Sequence, residues 1–173
     1  KRFVDIINND LANTIGNLLN RTSSMSRKWF DNRVPSNEIL SNDNTLELHA
    51  KKSVDNYIRH FNSYELDLAA NEILCLAINT NLYLNEKKPW TLIKDENNVP
   101  TVRSIIYNVL ESTRIIGLLL LPLLPDLSSK IDEQLGLSYN KNESWIYQLD
   151  WGKLIHKSIL PTPNPIIEKL EYE

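Results

Sequence analysis

Four long stretches of this chain repeat apolar residues at steps of three and four. That spacing returns each side chain to one face of an α-helix. In the first stretch, from about Phe3 to Phe30, the repeating set is Ile7, Leu11, Ile15, Leu18, Thr22, Met25 and Trp29. The second runs from about Thr45 to Phe61 on Leu46, Ala50, Val54, Tyr57 and Ile58. The third runs from about Glu65 to Asn85 on Leu66, Ala69, Ile73, Leu76, Ala77, Thr80 and Leu84. In the fourth, from Thr101 to about Leu121, Val102, Ile105, Val109, Thr113, Ile116 and Leu120 mark the inner face. Ile106, Leu110 and Leu119 widen it, as expected of a helix near the centre of a bundle. Each stripe needs an apolar cover. The fold predicted is all-α, an antiparallel helical bundle. Only 4 glycines are present, too few for the turns of an all-β fold or for a Gly-rich phosphate loop.

The breaks between stripes agree with this order. Val34-Pro35-Ser36-Asn37 and Ser41-Asn42-Asp43-Asn44 read as turns. Pro89 is a firm stop, because the residue before a proline is pushed out of helical geometry. A turn or two of helix is expected from Trp90 to Lys94, followed by a polar loop that closes at Pro100. Thr101 reads as an N-cap, and Asp126 as the cap of a fifth helix, Leu127 to Leu135, stopped by Gly136. Residues 138–157 read as loop anchored by Trp145 and Trp151, and the proline-rich end from Leu160 as an extended tail. No internal repeat is evident, and residues 1–173 suit a single domain. Gly16 costs the first helix roughly 1 kcal/mol against Ala and leaves room for a close neighbour.

Charge and cysteine content narrow the function classes. The formal net charge is −3, which argues against a surface that grips nucleic acid everywhere. The sign is uneven: six basic and three acidic residues give residues 1–34 a net +3 and leave −6 for the rest. A single cysteine, Cys75, forms no internal disulfide and fits a reducing, cytoplasmic compartment; among Leu74, Leu76 and Ala77 it reads as a buried, inert thiol. Three histidines, His49, His60 and His156, stand too far apart to suggest a metal cluster. Catalytic and metal sites are both expected to be absent. The longest apolar stretch, Ile115 to Leu124, is far shorter than the roughly 20 residues of a membrane span.

One constellation carries more. Asn17 and Arg21 lie four apart, so their side chains share a face at the edge of the first apolar stripe. Asn offers donors and an acceptor, and Arg a rigid fork of donors. Trp90 follows Pro89 at a helix end, where an indole can stand out from the surface. Unpaired RNA bases are read in this way: stacked on an aromatic ring and hydrogen-bonded along their edges. The bland alternative is an ordinary surface pair with Trp90 as a core plug.

The segment Asp10-Leu11-Ala12-Asn13-Thr14-Ile15-Gly16-Asn17-Leu18-Leu19-Asn20-Arg21-Thr22 resembles the opening of the anticodon-binding helical domain of methionyl-tRNA synthetases. Lys88-Pro89-Trp90-Thr91-Leu92-Ile93-Lys94 is similar to that domain's second signature. Leu119 to Pro125, with Lys130-Ile131 and Gln134-Leu135-Gly136-Leu137, is similar to its third. The resemblance covers nearly the whole chain. It implies that Trp90 stacks on the first anticodon base, a cytosine, that Asn17 and Arg21 bond its edge, and that Asn13 supports them one turn earlier. The tail departs from the family pattern at Pro165-Ile166-Ile167-Glu168-Lys169.

The resemblance further implies a longer parent, a cytoplasmic methionine–tRNA ligase, whose Rossmann-type catalytic domain, ATP and magnesium lie outside this chain. Ser24-Met25-Ser26-Arg27-Lys28 superficially resembles that domain's lysine-rich loop, but it falls mid-helix with Met25 on the apolar face. The partners expected are the methionine-specific tRNA and the catalytic domain, with neither membrane nor DNA. Two other readings stand beside this one: the anticodon domain of a leucine or cysteine enzyme, and a helical interaction module without an RNA role. Exposure of Trp90 separates the last from the others.

Overall fold

A computed structural model describes residues 12–36 and 43–162. Its helices are α1 (Ala12–Trp29), α2 (Thr45–Asn62), α3 (Leu66–Lys87), α4 (Pro89–Leu92), α5 (Val99–Leu120), α6 (Pro125–Gln134) and α7 (Trp145–Gln148), with a 3-10 turn at Glu96–Asn98. Among the described residues there is no strand, only an isolated antiparallel bridge between Arg33 and Ile159. The expected start of the first helix, with Ile7 and Leu11, and the tail from Pro163 fall outside the described residues.

The bundle is all-α, as the stripes require. Ile15, Leu18 and Thr22 of α1 are sealed, as are Leu46, Ala50 and Tyr57 of α2. Ala69, Ile73, Leu76, Ala77, Thr80 and Leu84 of α3 are fully buried too. α2 and α3 form the tightest helix pair, and α5 touches α1, α2, α3, α4 and α6. Every residue of α5 from Ser104 to Leu120 is buried, so its polar members need partners inside. Thr113 donates to the Val109 carbonyl at 2.8 Å, and the Ser112 and Thr80 hydroxyls meet at 2.7 Å.

The most demanding buried group is Glu111. Its carboxylate accepts from Arg114 Nε at 2.9 Å and Nη2 at 2.7 Å. It also accepts the backbone amides of Gly152, Lys153 and Leu154 at 2.7, 3.1 and 3.0 Å. Arg114 in turn donates to the carbonyls of Gln148 at 2.6 Å and Asp150 at 2.8 Å. The pair therefore ties the irregular segment after α7 to the central helix. That segment then runs back beside the end of α1: Val34 N donates to Ser158 O at 2.9 Å, and Lys157 N to Val34 O at 2.8 Å. Gly136, at φ +69°, lets it pass close, since a Cβ there would lie 2.5 Å from the Ile159 carbonyl oxygen.

Several sequence expectations are corrected. The fourth long helix starts at Val99 rather than Thr101, and the fifth at Pro125 rather than after Asp126. Proline fits the first helical turn because its missing N–H is an orphan there anyway. Leu66, expected inward, is 49% exposed: residues 62–68 are all exposed, so the α2–α3 hairpin tip projects beyond the core. Cys75 is half-buried rather than sealed and accepts a long 3.7 Å hydrogen bond from Asn71. The expected loop 138–157 contains the helical turn α7, and Trp145 anchors it by donating from Nε1 to Leu118 O at 2.9 Å.

Candidate nucleic-acid interface

α1 buries Ile15, Leu18, Leu19 and Thr22 and leaves Asn13, Asn17, Arg21 and Ser24 outside. The outer four recur at steps of four and three, one exposed face of a straight helix. α1 crosses α3 here, with Asn81 Nδ2 donating to the Thr14 carbonyl at 3.3 Å. A shallow depression lined by Asn20, Arg21, Ser24 and Met25 continues along the same helix.

Trp90 arrives from the other side. α3 ends on a left-handed residue, Lys88 at φ 46° and ψ 57°, whose amide donates to Leu84 O at 3.2 Å. The reversal lets Pro89 open α4 at once. Pro89, Leu92 and Ile93 face inward, while Trp90 remains 38% exposed. A tryptophan that served as a core plug would be sealed, so this position keeps part of the indole open to solvent.

Arg21 and Trp90 meet. The guanidinium carbon lies 5.5 Å from the indole centroid, over the ring. Contacts of this kind are worth roughly 0.5–1 kcal/mol at exposed sites. Arg21 Nη2 also donates to Asn85 Oδ1 at 3.1 Å. Asn85 belongs to the last turn of α3 and was not singled out by the sequence. Its signal was present, five residues before Trp90 on the outer side of α3, yet an exposed Asn near a helix end carries no pattern of its own. Asn17 is exposed one turn before Arg21, and its side chain makes no hydrogen bond to a described residue. Asn13 is exposed a further turn away. The structure thus joins Arg21, Trp90 and Asn85 directly and places Asn17 and Asn13 along the same exposed face.

The end of α3 is fixed by a polar tie. Lys87 Nζ lies 2.6 Å from Asp43 Oδ2, and Tyr83 OH donates to the same oxygen at 3.2 Å. Burial works against the Asp43 charge, but its bonds with Lys87 and Thr45 outweigh that and hold the carboxyl down at about 2. Burial raises Tyr83, which stays a neutral donor. Beneath the face, Met25, Leu92 and Trp151 pack on Leu18, Leu46, Tyr83, Leu84, Ile105 and Val109. Trp151 belongs to the segment that Glu111 holds, so the central helix also supports the ground under Arg21 and Trp90. Among the described residues, no three His, Cys, Asp or Glu side chains converge on a common point.

Known structures share this architecture. The free methionyl-tRNA synthetase of Mycobacterium tuberculosis superposes with a TM-score of 0.84 at 30% identity, over 98% of this chain and 34% of its own. A second structure of that enzyme, in complex with methionyl-adenylate, superposes at 0.83 with 31% identity, over 95% of this chain and 32% of its own. The chain is thus a helical domain of the kind aminoacyl-tRNA synthetases carry. Residues 34–171 match the family described as the anticodon binding domain of methionyl tRNA ligase, and the chain belongs to that family. Among curated relatives, the methionine–tRNA ligase of Nostoc sp. is 37% identical over 98% of this chain and 33% of its own length. That of Bacillus subtilis is 35% identical over 99% of this chain and 26% of its own. The chain therefore spans about a quarter to a third of the relatives it matches. These relatives align through α1, which lies outside the family match at 34–171.

Proposed function

We propose that this chain selects tRNA for a methionine–tRNA ligase by binding an unstacked cytosine, the first anticodon base, against Trp90. The observation that carries the proposal is the Arg21 guanidinium over a partly exposed indole, on a face that continues through Asn17 and Asn13. The base stacks on Trp90, a contact worth on the order of 1–3 kcal/mol. Cytosine's ring nitrogen and carbonyl oxygen are adjacent acceptors. Donors of the Arg21 fork not committed to Asn85 suit them, and the Asn17 amide adds a second polar reader. Uracil presents a donor at the same ring nitrogen, which opposes a guanidinium that can only donate. Asn13 supports the same face one turn away.

The parent enzyme joins methionine to its tRNA in the cytoplasm, using ATP and magnesium bound elsewhere in its chain. This reading rests on relatives three to four times as long as the match. The described residues do not fit either group: they hold no glycine-rich loop and no converging carboxylates. No bond-making step is assigned to this chain, whose part is to bind and orient the anticodon loop.

The test is titration of the chain with anticodon stem-loops that differ only at the first anticodon base. Trp90→Ala should weaken the cytosine loop about tenfold to hundredfold. Arg21→Ala and Asn17→Ala should relax the preference for cytosine, and Arg21→Lys should not restore it fully, because lysine lacks the planar fork. Unchanged affinity and preference in all of these variants would leave only a helical scaffold.

A further inference from the structure

Arg21 is a long side chain on an exposed helix face, and such a side chain ordinarily samples many rotamers. Here it is held from two directions. Its guanidinium carbon lies 5.5 Å from the Trp90 ring centroid, and Nη2 donates to Asn85 Oδ1 at 3.1 Å, so two separate contacts restrict the side chain. The two restraints come from consecutive elements. Asn85 sits in the last turn of α3, and Trp90 sits just beyond the left-handed Lys88 that separates α3 from α4. A single backbone reversal therefore sets the distance between the Asn85 acceptor and the indole, and Arg21 fits between them. The reversal is itself braced by the Lys87–Asp43 pair at 2.6 Å.

We propose that Asn85 is a positioning residue for base selection: it orients the Arg21 fork so that its remaining donors face the edge of a base stacked on Trp90. This rests on the base-reading proposal above. Asn85 acts through Arg21, so its loss should change discrimination more than overall affinity. A neutral amide acceptor has a particular advantage in this place. It orients the guanidinium without neutralising it, so the positive fork remains available to an electron-rich base edge. A carboxylate would orient it equally well but would form a full ion pair and set a negative charge beside the RNA backbone.

The experiment measures binding of the full chain to stem-loops with cytosine or uracil at the first anticodon position, together with the thermal midpoint of each variant. Asn85→Leu keeps the branched shape and removes the acceptor. It should lower the cytosine-over-uracil affinity ratio roughly threefold to tenfold, the net effect of one ordinary hydrogen bond at a solvent-exposed site, while Tm stays unchanged. Asn85→Asp should keep the affinity ratio within about twofold of wild type while weakening both loops alike, more so at low salt. Added to Arg21→Ala, Asn85→Leu should cost nothing further in the ratio. Asn85→Leu with an unchanged ratio, while Arg21→Ala and Trp90→Ala still relax it, would overturn the role of Asn85 and leave the base-reading proposal standing. A fall in Tm with all loops weakened equally would reduce Asn85 to a structural residue and equally overturn it. If Arg21→Ala and Trp90→Ala also leave the ratio unchanged, the base-reading proposal fails and the Asn85 role with it.

Discussion

Replacing Glu111 by Gln should be among the most damaging near-isosteric changes in the fold. Glu111 is fully buried and accepts five hydrogen bonds, two from Arg114 and three from the amides of Gly152, Lys153 and Leu154. Gln keeps one acceptor oxygen and turns the other into a donor. In either orientation that donor faces one nitrogen of the Arg114 fork together with the Leu154 amide or the Gly152 and Lys153 amides, none of which can accept. The change also leaves a buried guanidinium without its counter-charge, and breaking a buried pair from one side costs about 3–5 kcal/mol. Arg114→Met should cost less, about 2–3 kcal/mol, because the carboxylate keeps three amide donors while the carbonyls of Gln148 and Asp150 lose theirs. The double Met variant should not recover stability as isolated buried ion pairs often do, since it strands amides and carbonyls together. Urea unfolding gives the free energies, and hydrogen exchange at Gly152–Leu154 gives the local effect. A cost below about 1 kcal/mol for Glu111→Gln, or unchanged exchange at those amides, would refute the claim that this carboxylate holds the segment to α5.

Asp132 is 7% exposed, and burial pushes its carboxyl up to about 6, with Arg114 pulling partly the other way. A carboxyl raised in the fold favours its protonated form, so stability should fall as pH rises from about 4 to about 6 and then level off. Asp132→Asn should therefore stabilise the chain above pH 7 by at most about 3 kcal/mol, with the gain gone near pH 4; thermal melts across that range check it. Gly136→Ala meets both left-handed strain and the Ile159 carbonyl and should cost at least about 2 kcal/mol. Gly152→Ala, with open space around its Cβ position, should cost only about 1 kcal/mol; equal Tm losses for the two would contradict this.

The long helices were legible because their burial follows a period that the residues carry openly. The same reasoning fails where burial is complete. α5 buries Glu111 and Arg114 on what a stripe would call its outer side, and the groups that make this tolerable are backbone amides and carbonyls of residues 148–154, which no side-chain pattern announces. Leu66 was misplaced because periodicity does not say where the neighbouring helix ends. Thr101 and Asp126 were misread as caps because Pro100 and Pro125 sit inside their helices' first turns rather than before them. In the candidate site, the nearness of Arg21 to Trp90 was inferred from resemblance, whereas Asn85 became visible only once α3 was seen to end beside Arg21.

The central claim is that this face distinguishes one unpaired base from another. The most direct measurement is the ratio of Kd values of the full chain for two anticodon stem-loops identical except for cytosine or uracil at the first anticodon position. A well-placed set of edge bonds predicts tighter binding of the cytosine loop by at least about tenfold. Equal Kd values for the two loops would contradict the account.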